Sequence, residues 1–102
     1  MKDKLATYLG FAIKSGNVVY GVDNIETKLS KVVIAIFDDR LGDNSVNKLG
    51  NLCVRNNTKM YKTIDCDLDL ILATHNCKAI GITSKDLAKA IQELNILEEV
   101  RR

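Results

Sequence analysis

Apolar positions follow two different periods along this chain, and segments of the two kinds alternate. Between Asp3 and Lys14, apolar residues recur every three to four positions, which predicts a helix capped by Asp3. Gly16 is suited to close that helix in the left-handed conformation. Residues 32–37 are apolar at every position, which is typical of a strand buried on both faces. The chain therefore combines surface helices with at least one central strand.

The remaining segments continue this alternation. Short β-prone segments lie at 17–20, 59–64 and 77–82. Helical patterns follow four candidate starts, which are Asp23 with Asn24, Ser45, Asp65, and Thr83 or Ser84. Residues 94–102 are expected to continue the last helix or to fray. We predict one α/β domain over residues 1–102, a three-layer α/β/α sandwich around a four-stranded mixed sheet.

Composition narrows the class of protein. Of the 102 residues, 46% are hydrophobic and 27% charged, which is usual for a globular domain and argues against disorder. The first residues lack the apolar stretch of a signal peptide, and no apolar run is long enough for a membrane helix. We therefore expect a cytoplasmic protein that does not act at a membrane.

The three cysteines are widely spaced, form no CxxC pair and accompany a single histidine. This argues against a disulfide framework or a closed zinc site. We expect reduced thiols, no metal and no cofactor. The formal net charge of +2 neither indicates nor excludes nucleic-acid binding.

Asp38 and Asp39 directly follow the most apolar strand. Paired carboxylates in this position can hold Mg²⁺, as they do in receiver domains. The alternative is a solvated turn in which one carboxylate accepts a hydrogen bond from a backbone N–H group. The element order favours this alternative, because a receiver domain begins with a strand.

The cysteines, the histidine and the acidic residues at 65–69 suggest catalysis or calcium binding, but each has a simpler structural interpretation. His75 with Cys66 or Cys77 could form a base and a nucleophile, but nothing in the sequence places the two groups together. Cys53 lies on an apolar helical stripe, which predicts core packing. The alternating acids Asp65, Asp67 and Asp69 lack the glycine and final glutamate of a calcium loop, and are explained by a helix start. We do not expect an enzyme.

The turn at residues 20–24 offers a different kind of site. Gly21 precedes a helix start, whose free backbone N–H groups can receive a phosphate. Asn24 can pair with a base edge, and Lys28 and Lys31 can meet phosphates. The negative charge of Asp23 opposes this, so an ordinary capped surface helix is the alternative.

Four segments resemble one family in register over about residues 5–92. They are LGFAIKSGNVVYGVDNIETKLSK, VVIAIFDD, NSVNKLGNLCVRNNTKMYK and AIGITSKDLAKAI. They resemble the kink-turn-binding ribosomal-protein superfamily of the large-subunit proteins seven-Ae and thirty-e, and especially its small bacterial YlxQ-type members. The resemblance implies an α/β/α sandwich and non-enzymatic binding of a kink-turn, an RNA bend with tandem sheared G·A pairs. It also implies possible association with the ribosome.

The family binds RNA through the motif Gly-x-Asn-Glu-x-x-Lys. It also binds through the loop between the fourth helix and the last predicted strand, which corresponds to residues 74–78 here. Gly21 matches the glycine, Asp23 and Asn24 stand at the Asn and Glu positions, and Thr27 stands at the lysine position with Lys28 beside it. The RNA-binding residues implied by the resemblance are Gly21, Val22, Asp23, Asn24, Thr27, Lys28, Lys31, His75, Asn76 and Lys78.

The chain also departs from the family pattern. Where the family carries Leu-Gly-x-Ala-x-Gly, Asp69 and Ala73 replace the two glycines and would crowd a closely approaching phosphate. Together with Asp23, Thr27 and the low net charge, these changes support an alternative function. In that alternative, the same fold has lost RNA binding and serves as a protein-interaction or self-associating module, with a protein partner or a homodimer.

Overall fold

A computed structural model describes residues 2–64, 67–68, 72 and 77–101. The helices in this part of the chain are α1 (Lys2–Lys14), α2 (Val22–Thr27), α3 (Asp43–Asn56) and α4 (Lys85–Glu93), with a 3₁₀ turn at Leu29–Lys31. The strands are β1 (Val18–Tyr20), β2 (Ile34–Phe37), β3 (Lys59–Thr63), β4 (Ala79–Ile82) and β5 (Leu97–Val100). Among the helices described, none is long and apolar enough to cross a membrane.

The strands form one mixed sheet in the order β1-β4-β2-β3-β5. Strands β2 and β3 are parallel, and the other neighbouring pairs are antiparallel. The mixed sheet was predicted, but the prediction of four strands was wrong, because the sheet has five.

The additional strand comes from residues 97–100, which were expected to be helical or frayed. Asn95 adopts a left-handed conformation with φ of 56° just after α4, which turns the chain back toward the sheet. Met60 then pairs with Val100 and Thr63 with Leu97. This pairing supplies hydrogen-bond partners along β3, which would otherwise be a sheet edge.

The core consists of two clusters, and successive residues of β2 belong alternately to one and the other. Ile34 and Ile36 pack in the cluster that contains buried residues of α1 and α4. Ala35 and Phe37 pack in the cluster that contains buried residues of α2 and α3. Because side chains alternate across a strand, β2 is covered on both faces, as its apolar sequence predicted.

The helix ends agree with the sequence in two places and differ in three. Gly16 has the expected left-handed conformation, with φ of 73°, and the Ser84 hydroxyl accepts a hydrogen bond from the Leu87 N–H group at the start of α4. Helix α1, however, already includes Asp3, which was predicted to cap it, and α2 begins at Val22 after Gly21 rather than at Asp23. Helix α3 begins at Asp43 after Gly42 rather than at Ser45. A carboxylate in the first turn favours this earlier start. Most of the helix predicted from Asp65 lies outside the described residues.

Candidate nucleic-acid interface

The strand pairing defines two ends of the sheet. At one end, which we call the Gly21 end, β1 finishes and β4 starts, and the Gly21 N–H group donates to the Ala79 carbonyl over 2.9 Å. At the opposite end, which we call the Asn17 end, the Thr83 N–H group donates to the Asn17 carbonyl over 3.0 Å. Residues that are distant in sequence, such as Gly21 and Lys78, are therefore brought to the same end.

Gly21 makes the sharp turn between β1 and α2. Its φ of 83° and ψ of 154° lie in a region that side-chain-bearing residues rarely adopt, which explains glycine at this position. Its carbonyl accepts the hydrogen bond of the Ile25 N–H group over 3.0 Å. The glycine thus directs the chain from the sheet into α2.

A small cavity of about 210 Å³ lies between the two segments that the family resemblance assigned to RNA binding. Gly21, Val22 and Asp23 line it from the turn, and Lys78 and Ala79 line it from the start of β4. Leu41, Ser45 and Lys48 complete the lining. The fold therefore places Lys78 and Gly21 at one concave surface. His75 and Asn76, which the sequence assigned to the same interface, lie outside the described residues.

Two polar side chains of this turn bond within the turn itself. The Asn24 amide donates to the Tyr20 carbonyl over 2.8 Å, and the Thr27 hydroxyl donates to the Asp23 carbonyl over 3.1 Å. Both side chains are nevertheless largely at the surface. In this conformation they stabilise the turn and α2 rather than project toward a ligand.

Lys48 of α3 is a residue of this surface that sequence reasoning missed. Its Nζ lies 2.9 Å from Oδ1 of Asp23 and 3.2 Å from Oε1 of Glu26. Hydrogen bonding to Asp23, and then to Glu26, raises the pKa of Lys48 above its usual value. The carboxylate expected to repel an anion is therefore paired with a cation. No sequence signal points to this pair, because its members are 25 positions apart.

The lysines of the predicted site do not lie together: Lys78 is at the Gly21 end, Lys31 is at the Asn17 end, and Lys28 lies between them. Lys28 and Lys31 are exposed, whereas Lys78 is half-buried. Lys31 lines a separate cleft at the Asn17 end, together with Lys85. The structure therefore joins Gly21, Val22, Asp23 and Lys78 in one place but puts Lys31 elsewhere.

Asp38 is fully buried at the Gly21 end. Its carboxylate accepts hydrogen bonds from the N–H groups of Arg40 and Leu68, each over 3.0 Å, and pairs with the Arg40 guanidinium over 2.7 Å. The bonds from backbone N–H groups agree with the predicted hydrogen-bonded turn, but the prediction that this turn is solvated was wrong for Asp38, which is buried. Within the described ranges, no three His, Cys, Asp or Glu side chains gather as metal ligands would.

The side chains of Cys53 and Cys77 are both buried. Burial raises the pKa of the Cys53 thiol to about 11, so this group is neutral near pH 7 and a poor nucleophile. Its position in the core confirms the packing role predicted for it. Cys66 and His75, the other members of the considered nucleophile and base pairs, lie outside the described residues.

The fold and these contacts define an α/β protein with a five-stranded mixed sheet. No family model and no curated protein matches the chain. Its fold is similar to a solved structure of a protein with unknown function from Bacillus halodurans C, with a TM-score of 0.78. The match covers 87% of this chain and 93% of that one, at 16% sequence identity. At this identity the likeness establishes a shared fold alone.

Proposed function

We propose that this protein binds structured RNA of the kink-turn kind without catalysing a reaction, and that it does so in the cytoplasm in association with the ribosome. The observation that carries the proposal is the meeting of the Gly21 turn with the segment that starts β4. The family resemblance assigns both segments to RNA contact, and both line the same cavity. Their backbones are joined directly by the hydrogen bond from Gly21 to Ala79.

The charges around the Gly21 end support this proposal. Lys78 lies at the cavity, and Lys28 is exposed on the segment that follows α2. Lys48 offsets part of the negative charge of Asp23 and Glu26. Basic side chains that neutralise RNA phosphates release counterions, which supplies a large part of the affinity.

The arrangement of the helices also supports it. We propose that the sheet is the middle layer of an α/β/α sandwich, with α1 and α4 on one face and α2 and α3 on the other. The two core clusters, each containing one of these helix pairs, support this arrangement. It leaves the outer side of α2 at the surface, where a folded RNA can approach.

The internal bonds of the turn favour the second candidate function, a protein-interaction or self-associating module. Asn24 donates to Tyr20 and Thr27 donates to Asp23, so the groups best suited to read bases already have partners. RNA binding requires Asn24 to leave its bond or to use its carbonyl oxygen. A module that binds proteins needs neither change.

Titration of a labelled kink-turn RNA at two salt concentrations tests the proposal. A duplex of equal length without G·A pairs is the control RNA. We expect tighter binding to the kinked RNA, and we expect Lys78→Gln to weaken it and to lower the salt slope by about one. Lys4→Gln removes an exposed charge on α1 and is the matched control variant.

Equal, weak binding to both RNAs, unaffected by Lys78→Gln, would contradict the proposal. Concentration-dependent sedimentation of the protein in the same buffer would then support self-association.

A further inference from the structure

A cleft of about 680 Å³ opens at the Asn17 end of the sheet, opposite the turn discussed above. Its lining contains two lysines, neutral amide and hydroxyl groups, and the two valines, Val32 and Val33, that precede β2. The polar residues used below are Asn17, Lys31, Asn56, Asn57, Thr58, Thr83 and Lys85. Among the described residues, those that line the cleft include no carboxylate and no aromatic ring.

Neutral groups hold the walls of the cleft. The Thr83 hydroxyl donates to the Asn17 side-chain oxygen over 3.1 Å. The Asn56 amide donates to the Leu29 carbonyl and to the Thr58 hydroxyl, each over 2.8 Å. No ion pair holds Lys31 or Lys85 within the described part of the chain. Both cations are exposed and remain available to a ligand.

The lining selects a ligand of one chemical class. Two cations with neutral hydrogen-bonding groups and no carboxylate attract an anion. Without an aromatic ring the cleft offers no stacking surface for a base, so it suits phosphate and sugar groups. An open cleft of this volume also accommodates more than one phosphate. A nucleic-acid backbone meets these requirements better than a free nucleotide, whose base would have no contact.

The chain between Gly21 and Val33 connects this cleft with the Gly21 end. It leaves the sheet at Gly21, forms α2 and the 3₁₀ turn, and returns at Val33, whose N–H group bonds to the Ile82 carbonyl over 2.7 Å. Lys28 lies on this path, between the two ends. From Asn17 to Gly21 the strand covers about 13 Å, at about 3.3 Å per residue. The cleft is therefore close enough to Gly21 for one RNA stem to contact both, provided that the stem is longer than this distance.

We infer that the cleft binds the phosphodiester backbone of a stem that flanks the RNA bend held at the Gly21 end. This inference rests on the proposed function and adds a second contact, with Lys31 and Lys85 meeting phosphates and Asn17 and Asn57 bonding to phosphate or sugar oxygens. Lys85 distinguishes the two contacts, since it lines the cleft but not the Gly21 cavity.

The test compares two kink-turn RNAs, one with a short and one with a long flanking stem. Lys85→Gln should weaken binding of the long RNA roughly two- to fivefold and lower its salt slope by about one, while leaving the short RNA unaffected. Lys89→Gln, an exposed lysine of the same helix outside the cleft, is the matched control and should change neither.

A second variant reaches the same cleft without removing a lysine. Asn17→Asp keeps the oxygen that accepts the Thr83 hydrogen bond but adds a negative charge. This variant should weaken binding of the long RNA at least as much as Lys85→Gln does. Thermal unfolding of each variant identifies any effect that comes from loss of folding.

The results separate the two proposals. Suppose that Lys78→Gln weakens binding of both RNAs, whereas Lys85→Gln, like the control Lys89→Gln, changes the binding of neither. The cleft inference is then wrong and the proposed function stands. If neither RNA is preferred over a plain duplex and Lys78→Gln has no effect, both are wrong. Inorganic phosphate and a mononucleotide are titrated separately, with chemical shifts as the readout. The inference is overturned if phosphate or the mononucleotide binds saturably at the cleft while Lys85→Gln leaves the affinity for the long RNA unchanged. The cleft would then be a site for a small anion.

Discussion

The two ends of the sheet are held by different kinds of polar contact. At the Gly21 end, ion pairs join buried Asp38 to Arg40, and Lys48 to Asp23 and Glu26, in addition to the neutral bond from Asn24 to the Tyr20 carbonyl. At the Asn17 end the contacts are neutral, formed by the side chains of Asn17, Thr83, Asn56 and Thr58.

This difference determines which charges remain available to a ligand. At the Gly21 end the fold uses Arg40 and Lys48 for its own contacts, and Lys78 is the cation of the cavity lining for which the described residues show no ion pair. At the Asn17 end amides and hydroxyls hold the structure, and Lys31 and Lys85 keep their charges exposed. Counting lysines in a sequence therefore says little about binding until their internal partners are known.

Removing the buried carboxylate tests the charged contacts most strongly. Asp38→Ala should lower the free energy of unfolding by about 2–4 kcal/mol, because it leaves the Leu68 and Arg40 N–H groups without their acceptor. Denaturant unfolding measures the change. Asp39→Ala, at the exposed neighbour, should stay within about 0.5 kcal/mol. Equal losses of unfolding free energy in the two variants would show that the contacts of Asp38 do not stabilise the Gly21 end.

Gly81 controls how closely the segment that joins the two ends packs on β4. An added Cβ would lie 3.1 Å from both methyl groups of Val32 and 3.4 Å from Ile25. Because these side chains are buried, Gly81→Ala should destabilise the protein by about 1–3 kcal/mol. Thermal or denaturant unfolding measures this change.

Gly10→Ala is the control for that substitution. Nothing lies within 4 Å of an added Cβ at Gly10 in α1, so the change should stabilise the protein by about 0.5–1 kcal/mol. Opposite signs for the two variants are expected. A stabilising effect at Gly81 would mean that the segment from Ile25 to Val32 can shift outward.

The neutral contacts at the Asn17 end should be weaker than the charged ones. Asn56→Ala removes the bonds to the Leu29 carbonyl and the Thr58 hydroxyl, and should cost about 1 kcal/mol by denaturant unfolding. Asn51→Ala, at an exposed position of the same helix, should have no destabilising effect. A loss at Asn56 as large as that of Asp38→Ala would remove the contrast between the two ends.

The smallest expected effect concerns charge at the Gly21 end. Asp23→Asn removes one of the two carboxylates that form ion pairs with Lys48. Because less negative charge then faces the RNA, binding should tighten roughly two- to fivefold at low salt. The gain should shrink at high salt, where exposed charges are screened. Glu93→Gln, at an exposed position of α4, is the control. Unchanged affinity in Asp23→Asn would mean that no phosphate approaches this turn.

Local sequence was a good guide where the cause of the structure is itself local. The apolar run at 32–37 predicted a strand covered on both faces, and the helical period after Asp3 predicted α1. Gly16 was correctly assigned to a helix end, and Ser84 is the one of the two predicted caps, Thr83 and Ser84, that the structure uses. Both succeed because a positive φ and a capping hydroxyl depend on one residue and its near neighbours.

Apart from shifts of a few residues in helix starts, the errors arose where a distant partner decides the outcome. Residues 97–100 carry a weak pattern and become a strand because β3 offers unpaired backbone groups. The same holds for the site. Gly21 and its turn were visible in sequence, whereas the pairing of Asp23 with Lys48, and the meeting of Gly21 with Lys78, depend on how α3 and β4 pack.

The amino-acid sequence by itself determined the alternation of helices and strands, the double-faced burial of β2 and the glycine turn into α2, since these follow from periodicity and backbone preference. Only the tertiary structure decided the fifth strand, the internal use of Arg40 and Lys48, and the exposed lysines of the Asn17 end. The reason is physical. Whether a charge is available to a ligand depends on which groups lie within a few ångströms of it, and those groups come from residues far away along the chain.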